Sequence, residues 1–224
     1  MKPPSTMLSR RGVLGVSLAA AGGLAAGRHA PALAALRLPT AAQSTGPFYP
    51  ATKPLDQDND LTAVAGRDGR ARGETIHLVG RVTDRDGRAV PGAAVEIWQA
   101  NAFGRYHHPG DRQNAPLDPY FQGYGRDRTG DDGGYRFLTI KPPPYPASAN
   151  WMRPAHVHFA VHGPGFEKLV TQMYFAGDPH LERDFLFNRV ADARARARLV
   201  VALSPADPGL EPAASVAVFD IVLG

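Results

Sequence analysis

The sequence predicts an all-β fold, a β-sandwich of mainly antiparallel strands with long loops that carry the chemistry. Three observations lead there. Short apolar runs alternate with a period of two from Thr75 to Val82, in AAVEIWQAN, from Tyr135 to Ile140, in HVHFAV (His156 to Val161), in LVTQMYF (Leu169 to Phe175) and in SVAVFDIVL (Ser215 to Leu223). Glycine and proline are abundant, 24 and 21 of 224 residues, and many lie between these runs as turn formers. No long helical periodicity intervenes, and a chain of this length suits one all-β domain of ordinary size.

The elements follow in order. Residues 1–34 read as a leader. Ser9-Arg10-Arg11-Gly12-Val13-Leu14 precedes VSLAAAGGLAAG, and Ala32-Leu33-Ala34 forms a cleavage site of small residues, so the segment looks like a twin-arginine signal peptide. Its apolar run is short and rich in glycine and alanine for a membrane span. Export to the periplasm or the cell exterior, with no stable membrane association after processing, is the expectation.

Residues 35–74 read as an extended arm with turns, including STGPFYP (Ser44 to Pro50) and the polar LDQDNDLTAVAGRDGRARG. The β-sandwich domain spans 75–224. In its first strand Ile76, Leu78 and Val82 face inward and His77, Val79 and Arg81 outward. Asp84-Arg85-Asp86-Gly87 is a hairpin turn, and Pro91-Gly92 precedes a strand with Val95 and Ile97 on one side and Glu96 and Trp98 on the other. Between Arg189 and Arg198, ADARARAR is the best helix candidate, although its alternation also suits an exposed edge strand.

Composition excludes several chemistries. There is no cysteine, which removes disulfides, thiolate metal ligands and a cysteine nucleophile. The net charge of +4 comes from Lys2, Arg10, Arg11 and Arg28 in the leader, where no acidic residue occurs. The remainder carries 21 basic and 21 acidic residues, giving no electrostatic case for a nucleic-acid or membrane partner.

The stretch Tyr145 to His158, YPASANWMRPAHVH, concentrates the polar candidates. On a strand His156 and His158 share a face while Val157, Phe159 and Val161 point into the core. Two imidazoles on a rigid strand can begin a metal site, and can equally be a solvated strand face. The connection NAFGRYHHPGDRQNAPLDPYFQGYGRDRTGDDGGY, a loop of about thirty residues, adds Tyr106, His107 and His108. The connection IKPPPYPASANWMRPA adds Tyr145, stiffened by prolines, and Arg153.

WQANAFGRYHH, APLDPYFQGYGR, TIKPPPYP and WMRPAHVHF, in this order, resemble the intradiol ring-cleavage dioxygenases, and among them the protocatechuate-type iron-binding subunit. The resemblance runs from Gly80 to Phe175, with weaker echoes in STGPFYP and FDIVL. It implies that Tyr106, Tyr145, His156 and His158 are the protein ligands of a non-haem Fe(III), and that Arg153 and Gln172 line the active site. It also implies a catechol-type substrate and O2, cleavage between the two hydroxyl-bearing carbons, and a cis,cis-muconate-type diacid product. Tyr145 is then the ligand that substrate displaces and that can take its proton, and Arg153 stabilises charge developing on the ring. Two phenolates and two imidazoles suit a hard ferric ion.

The chain departs from the protocatechuate pattern at Ala147, where a bulky tryptophan is common, and the connection that follows is slightly shorter. A homo-oligomer or a hetero-oligomer with a partner subunit fits the pattern equally. Two other readings stay open from the residues alone. One is a zinc enzyme using His156, His158 and a third histidine such as His108. The other is a non-enzymatic binding or structural module, because VTDRDGRAVPGAAVEIW also resembles transthyretin-like β-sandwiches.

Overall fold

Two five-stranded sheets enclose an apolar core in the computed structural model of the chain, which describes residues 36–224 apart from positions 207 and 211. The proposed leader lies outside the described residues. In chain order the strands are β1 (Thr75–Thr83), β2 (Ala94–Trp98), β3 (Tyr124–Arg128), β4 (Gly134–Ile140), the short β5 (Tyr145–Ser148) and β6 (Trp151–Arg153), β7 (His156–His162) and β8 (Leu169–Phe175). Two short helices follow, α1 (Phe185–Asn188) and α2 (Ala193–Ala197). The chain then forms β9 (Val200–Val201), β10 (Leu203–Ser204), β11 (Ser215–Val218) and β12 (Ile221–Val222).

One sheet has the order β10-β11-β1-β12 with β4 on the opposite edge of β1, and the other has the order β3-β2-β7-β8-β9. Most neighbours are antiparallel, but β1 pairs in parallel with β11 and β12, and β8 with β9. Among the described residues no helix is long and apolar enough to cross a membrane.

The period-two pattern builds the core. Val157, Phe159 and Val161 of β7 and Val95 and Ile97 of β2 meet Ile76, Leu78 and Val82 of β1 and Phe137 of β4. Each is removed from water, which stabilises the fold by roughly 1.5–3 kcal/mol per large aliphatic or aromatic side chain. The opposite face of the β2-β7 pair carries a second, smaller cluster of Trp98, Ala100, Tyr106, Tyr124, Tyr145 and Ala160, with Phe48 and Tyr49 packed on it. The sheet therefore has an apolar inner face and an aromatic, polar outer face.

Several expectations need correction. The loop after β2 is shorter than read, because β3 lies inside it. YGRDR is an edge strand whose outer residues are charged, so it lacks the apolar signal of the others. The Tyr145 connection contains the β5-β6 hairpin, with a register shift between Pro146 and Ser148.

The terminal run breaks into β11 and β12 at Phe219-Asp220. There the Phe219 carbonyl lies so close to Gly80 that a Cβ on residue 80 would sit 2.1 Å from it. His77 is buried rather than outward, with Nε2–H donating to the Pro212 carbonyl at 2.9 Å. The ADARARAR ambiguity resolves as a helix, because the Asp192 carboxylate caps it by accepting from the amides of Arg194 and Ala195.

Residues 36–74 have little regular structure yet are fixed along the sandwich. The amide of Thr40 donates to Val222 and that of Gln43 to Val170, and Leu61 is fully buried in the main core. Phe48 and Tyr49 of this segment cover the aromatic cluster on the outer face of the second sheet, while Asn59 and Leu61 bond to β4 of the first.

Candidate active site

Strand β7 sets the geometry. Because side chains two apart share a face, His156 and His158 project together onto the outer side, with ring centroids 4.9 Å apart. The Nδ1–H of His156 donates to the Pro154 carbonyl at 2.7 Å, which leaves its Nε2 lone pair aimed outward. His158 pairs across the sheet with Trp98 on β2, and the two rings stack at 4.9 Å and 10°.

Tyr106 reaches this face from the loop after β2. Asn101 Oδ1 accepts from the amides of Phe103 and Arg105, and Asp111 accepts from the Tyr106 amide, so the loop is pinned on both sides of the tyrosine. The Tyr106 hydroxyl comes to 3.2 Å from His156 Nε2. Tyr145 opens β5, paired with Arg153 across the hairpin, and its ring centroid is 5.6 Å from those of both Tyr106 and His156. Two imidazoles and two phenols therefore converge from three parts of the chain.

Arg153 lies beside them with its guanidinium held on two edges. Nε donates to Asp184 Oδ2 at 2.8 Å and Nη2 to Gln172 Oε1 at 2.6 Å. Gln172 is the cross-strand partner of His158 and donates through Nε2 to the Ser44 carbonyl of the arm. A cavity of about 570 Å³ opens over the group, with Tyr145, His158 and Arg153 in its wall and Phe48, Trp151 and Leu186 around it. That volume suits a small organic ligand.

Burial shapes the protonation of the site. It pushes the Tyr106 hydroxyl well above its ordinary range, reinforced by neighbouring Tyr145, and it raises Tyr145 against the opposing pull of Arg153. Burial and then the Arg153 charge drive both histidines well below their ordinary range, so each imidazole is a neutral lone-pair donor. For Arg153, burial is the largest single influence and works against the charge, but the Asp184 carboxylate together with Tyr145, Tyr174 and Tyr106 outweighs it and the net shift is upward. Two neutral imidazoles and two buried phenols form a donor set that a hard, highly charged cation would complete by ionising the phenols.

The loop histidines do not join. His108 packs against Phe48 and accepts from the Gly110 amide, and His107 is exposed beside a separate cavity. Among the described residues no three His, Cys, Asp or Glu side chains are grouped to hold a metal, so a three-histidine zinc arrangement with His108 is not formed. Sequence reasoning missed Asp184, the stacked Trp98 and the covering Phe48. Asp184 had a local signal as an N-cap residue before the apolar FLFN, and Trp98 had only its strand facing, opposite Val95 and Ile97.

Comparison with known proteins agrees with this geometry. A family model described as a dioxygenase matches residues 44–224. The protocatechuate 3,4-dioxygenase beta chain of Burkholderia cepacia is 48% identical over 180 residues, covering 79% of this chain and 76% of that protein. The chain belongs to the intradiol dioxygenases. A 6-chlorohydroxyquinol 1,2-dioxygenase of Cupriavidus pinatubonensis is 40% identical over 131 residues, 52% of this dioxygenase and 45% of that protein, so the present chain spans less than half of that relative.

Among solved structures, the dioxygenase domain of a dioxygenase–carbohydrate-binding fusion from Streptomyces sp. SirexAA-E superposes with a TM-score of 0.61 at 28% identity. It covers 83% of this chain and 97% of that one. The chain is thus an enzyme of the ring-cleaving class, and the reading as a non-enzymatic binding module is corrected by this membership.

Proposed function

We propose that this dioxygenase holds one ferric ion through Tyr106, Tyr145, His156 and His158 and cleaves catechol-type substrates between their two hydroxyl-bearing carbons. The observation that carries the reading is the convergence of two phenols and two imidazoles, of which Tyr145 and His158 reach the wall of a cavity. Ferric iron, when bound, supplies the charge that ionises both phenols and the Lewis acidity that makes a chelated catechol reactive toward dioxygen.

The side chains divide the remaining work. Tyr145, in the cavity wall, is the ligand placed to leave and to accept a substrate proton on its phenolate oxygen. Tyr106 is more enclosed, pinned by its loop and covered by Phe48, and stays in place. The Arg153 guanidinium faces the substrate space and stabilises negative charge on the bound ring. Phe48, Trp151 and Leu186 limit water around the reacting ring.

With small Ala147 in the cavity wall, ring substituents are accommodated, and 3,4-dihydroxybenzoate belongs to the accepted substrates. The mature protein is exported by the twin-arginine route and acts outside the cytoplasm. Purified enzyme should contain about one iron per chain, show a red-brown phenolate-to-iron absorption band and consume oxygen with a panel of substituted catechols. Colourless protein with stoichiometric zinc would refute the reading. Export is tested separately by changing Arg10 and Arg11 to Lys, which should leave folded precursor in the cytoplasm, and normal secretion of that variant would argue for another route.

A further inference from the structure

We infer that Asp184 is the positioning residue for Arg153, fixing the guanidinium over the substrate space and tying it to the cavity wall. The inference rests on the proposed role of Arg153. Asp184 is fully buried, and its ion pair with Arg153 is closed off from solvent, with side-chain exposures of 5% for the arginine and 0% for the aspartate. Each oxygen has a separate task. Oδ2 accepts from Arg153 Nε at 2.8 Å and from Trp151 Nε1 at 3.3 Å, whereas Oδ1 accepts from the Phe187 amide at 2.8 Å and so caps α1. Leu186 on that helix and Trp151 both line the catalytic cavity.

One carboxylate therefore joins an arginine, an indole and a helix terminus that all border the substrate. Its effect on Arg153 is directional. A guanidinium has five N–H donors in a rigid plane, so bonds at Nε to Asp184 and at Nη2 to Gln172 fix two edges of that plane. The remaining donors are then held in one orientation. Without Asp184 the plane can rotate about the contact to Gln172, and a misplacement of about 1 Å at a charge-stabilising donor can lower turnover as much as 10²-fold. Asp184 also offsets the positive charge beside the site, so Arg153 acts as an aimed donor more than as a bulk field.

The test is a double-mutant cycle on iron-loaded enzyme with Asp184→Asn and Arg153→Ala. Asparagine keeps the size and the helix-capping ability of the residue while removing its charge. Asp184→Asn should retain iron and the visible band and lower kcat roughly tenfold or more. In the Arg153→Ala background the same change should lower kcat less than twofold, because no guanidinium remains to be positioned.

Equal losses in both backgrounds would overturn the inference and mark Asp184 as a structural residue alone. Unchanged kcat in Asp184→Asn would also overturn it. If that variant folds poorly, Asp184→Glu supplies the second arm, since a longer carboxylate keeps the charge but displaces the guanidinium. It should keep iron and lose kcat in the wild-type background only, and an equal loss beside Arg153→Ala would overturn the inference. Failure of the underlying reading is seen separately, as normal turnover or iron loss in Arg153→Ala by itself.

Discussion

On one face of β7, Val157, Phe159 and Val161 are packed out of reach of water among side chains from both sheets. On the other, His156 and His158 are equally buried yet meet tyrosines, a tryptophan and an arginine. Both faces exclude solvent, so burial alone does not distinguish them. The difference is how polar groups are satisfied. The inner face has none to satisfy, whereas the outer face keeps imidazole and phenol groups whose hydrogen bonds within the chain are few, including a buried His158 Nδ1 with no partner. Such a face is costly for stability and is retained for what it can bind.

That contrast is sharpest in adjacent residues. His158→Ala should abolish iron content, colour and oxygen uptake together, because a rigid strand offers no replacement ligand, while the melting temperature of the iron-free protein changes little. Retention of the visible band would show that His158 is not a ligand of the iron. Phe159→Ala, one position on, should destabilise the fold by about 3–5 kcal/mol in denaturant titration, the usual cost of emptying a buried phenylalanine site. The folded fraction of that variant should still bind iron. A smaller loss than about 1 kcal/mol would mean that the inner face is less tightly packed than its burial indicates.

Arg153→Ala tests the outer face without touching a proposed ligand. It should leave iron and colour in place and lower kcat roughly 10²–10³-fold, the typical cost of removing a charge-stabilising donor. Iron loss parallel to that in His158→Ala would make the arginine structural. The smallest effect is expected at Tyr49→Phe. The Tyr49 hydroxyl donates to Glu96 at 2.6 Å, and its ring stands edge-on to Trp98 at 4.8 Å. Losing that hydroxyl should cost about 1 kcal/mol in thermal stability, with kcat essentially unchanged because the stack of Trp98 on His158 remains. A large fall in iron content would show that the periphery of the outer face controls its centre.

How much was legible in the sequence follows the same division. The inner face is written in period two, so β1, β7 and β8 and the facing of Val95 and Ile97 could be read directly. The directions of His156 and His158 came with that register. β3 could not be read this way, because an edge strand carrying Arg126, Asp127 and Arg128 has no apolar face to announce it. The hairpin of β5 and β6 was hidden by Pro146, which reads as a loop residue.

Of the site, the loops themselves offered Tyr106, Tyr145 and Arg153 as polar candidates, while their roles and Gln172 came only through family resemblance, and the structure brings all four together with the histidines. The pairing of Arg153 with Asp184, 31 positions away, leaves no local trace beyond an N-cap pattern. Long-range polar contacts of this kind depend on tertiary placement and have no periodicity to reveal them.

The turn at Gly46 has a consequence for how the enzyme matures. Its φ of +71° is one that side-chain-bearing residues seldom adopt, and a Cβ there would meet His158 Cε1 at 3.2 Å, so the arm passes directly over a proposed iron ligand. Ser44, beside it, is bonded to Gln172 at a separation of 128 residues. The segment that roofs the site thus leaves the ribosome long before the strands it rests on, and such distant contacts are slow to close. The cavity is therefore sealed on the histidine side by a contact between parts of the chain far apart in sequence.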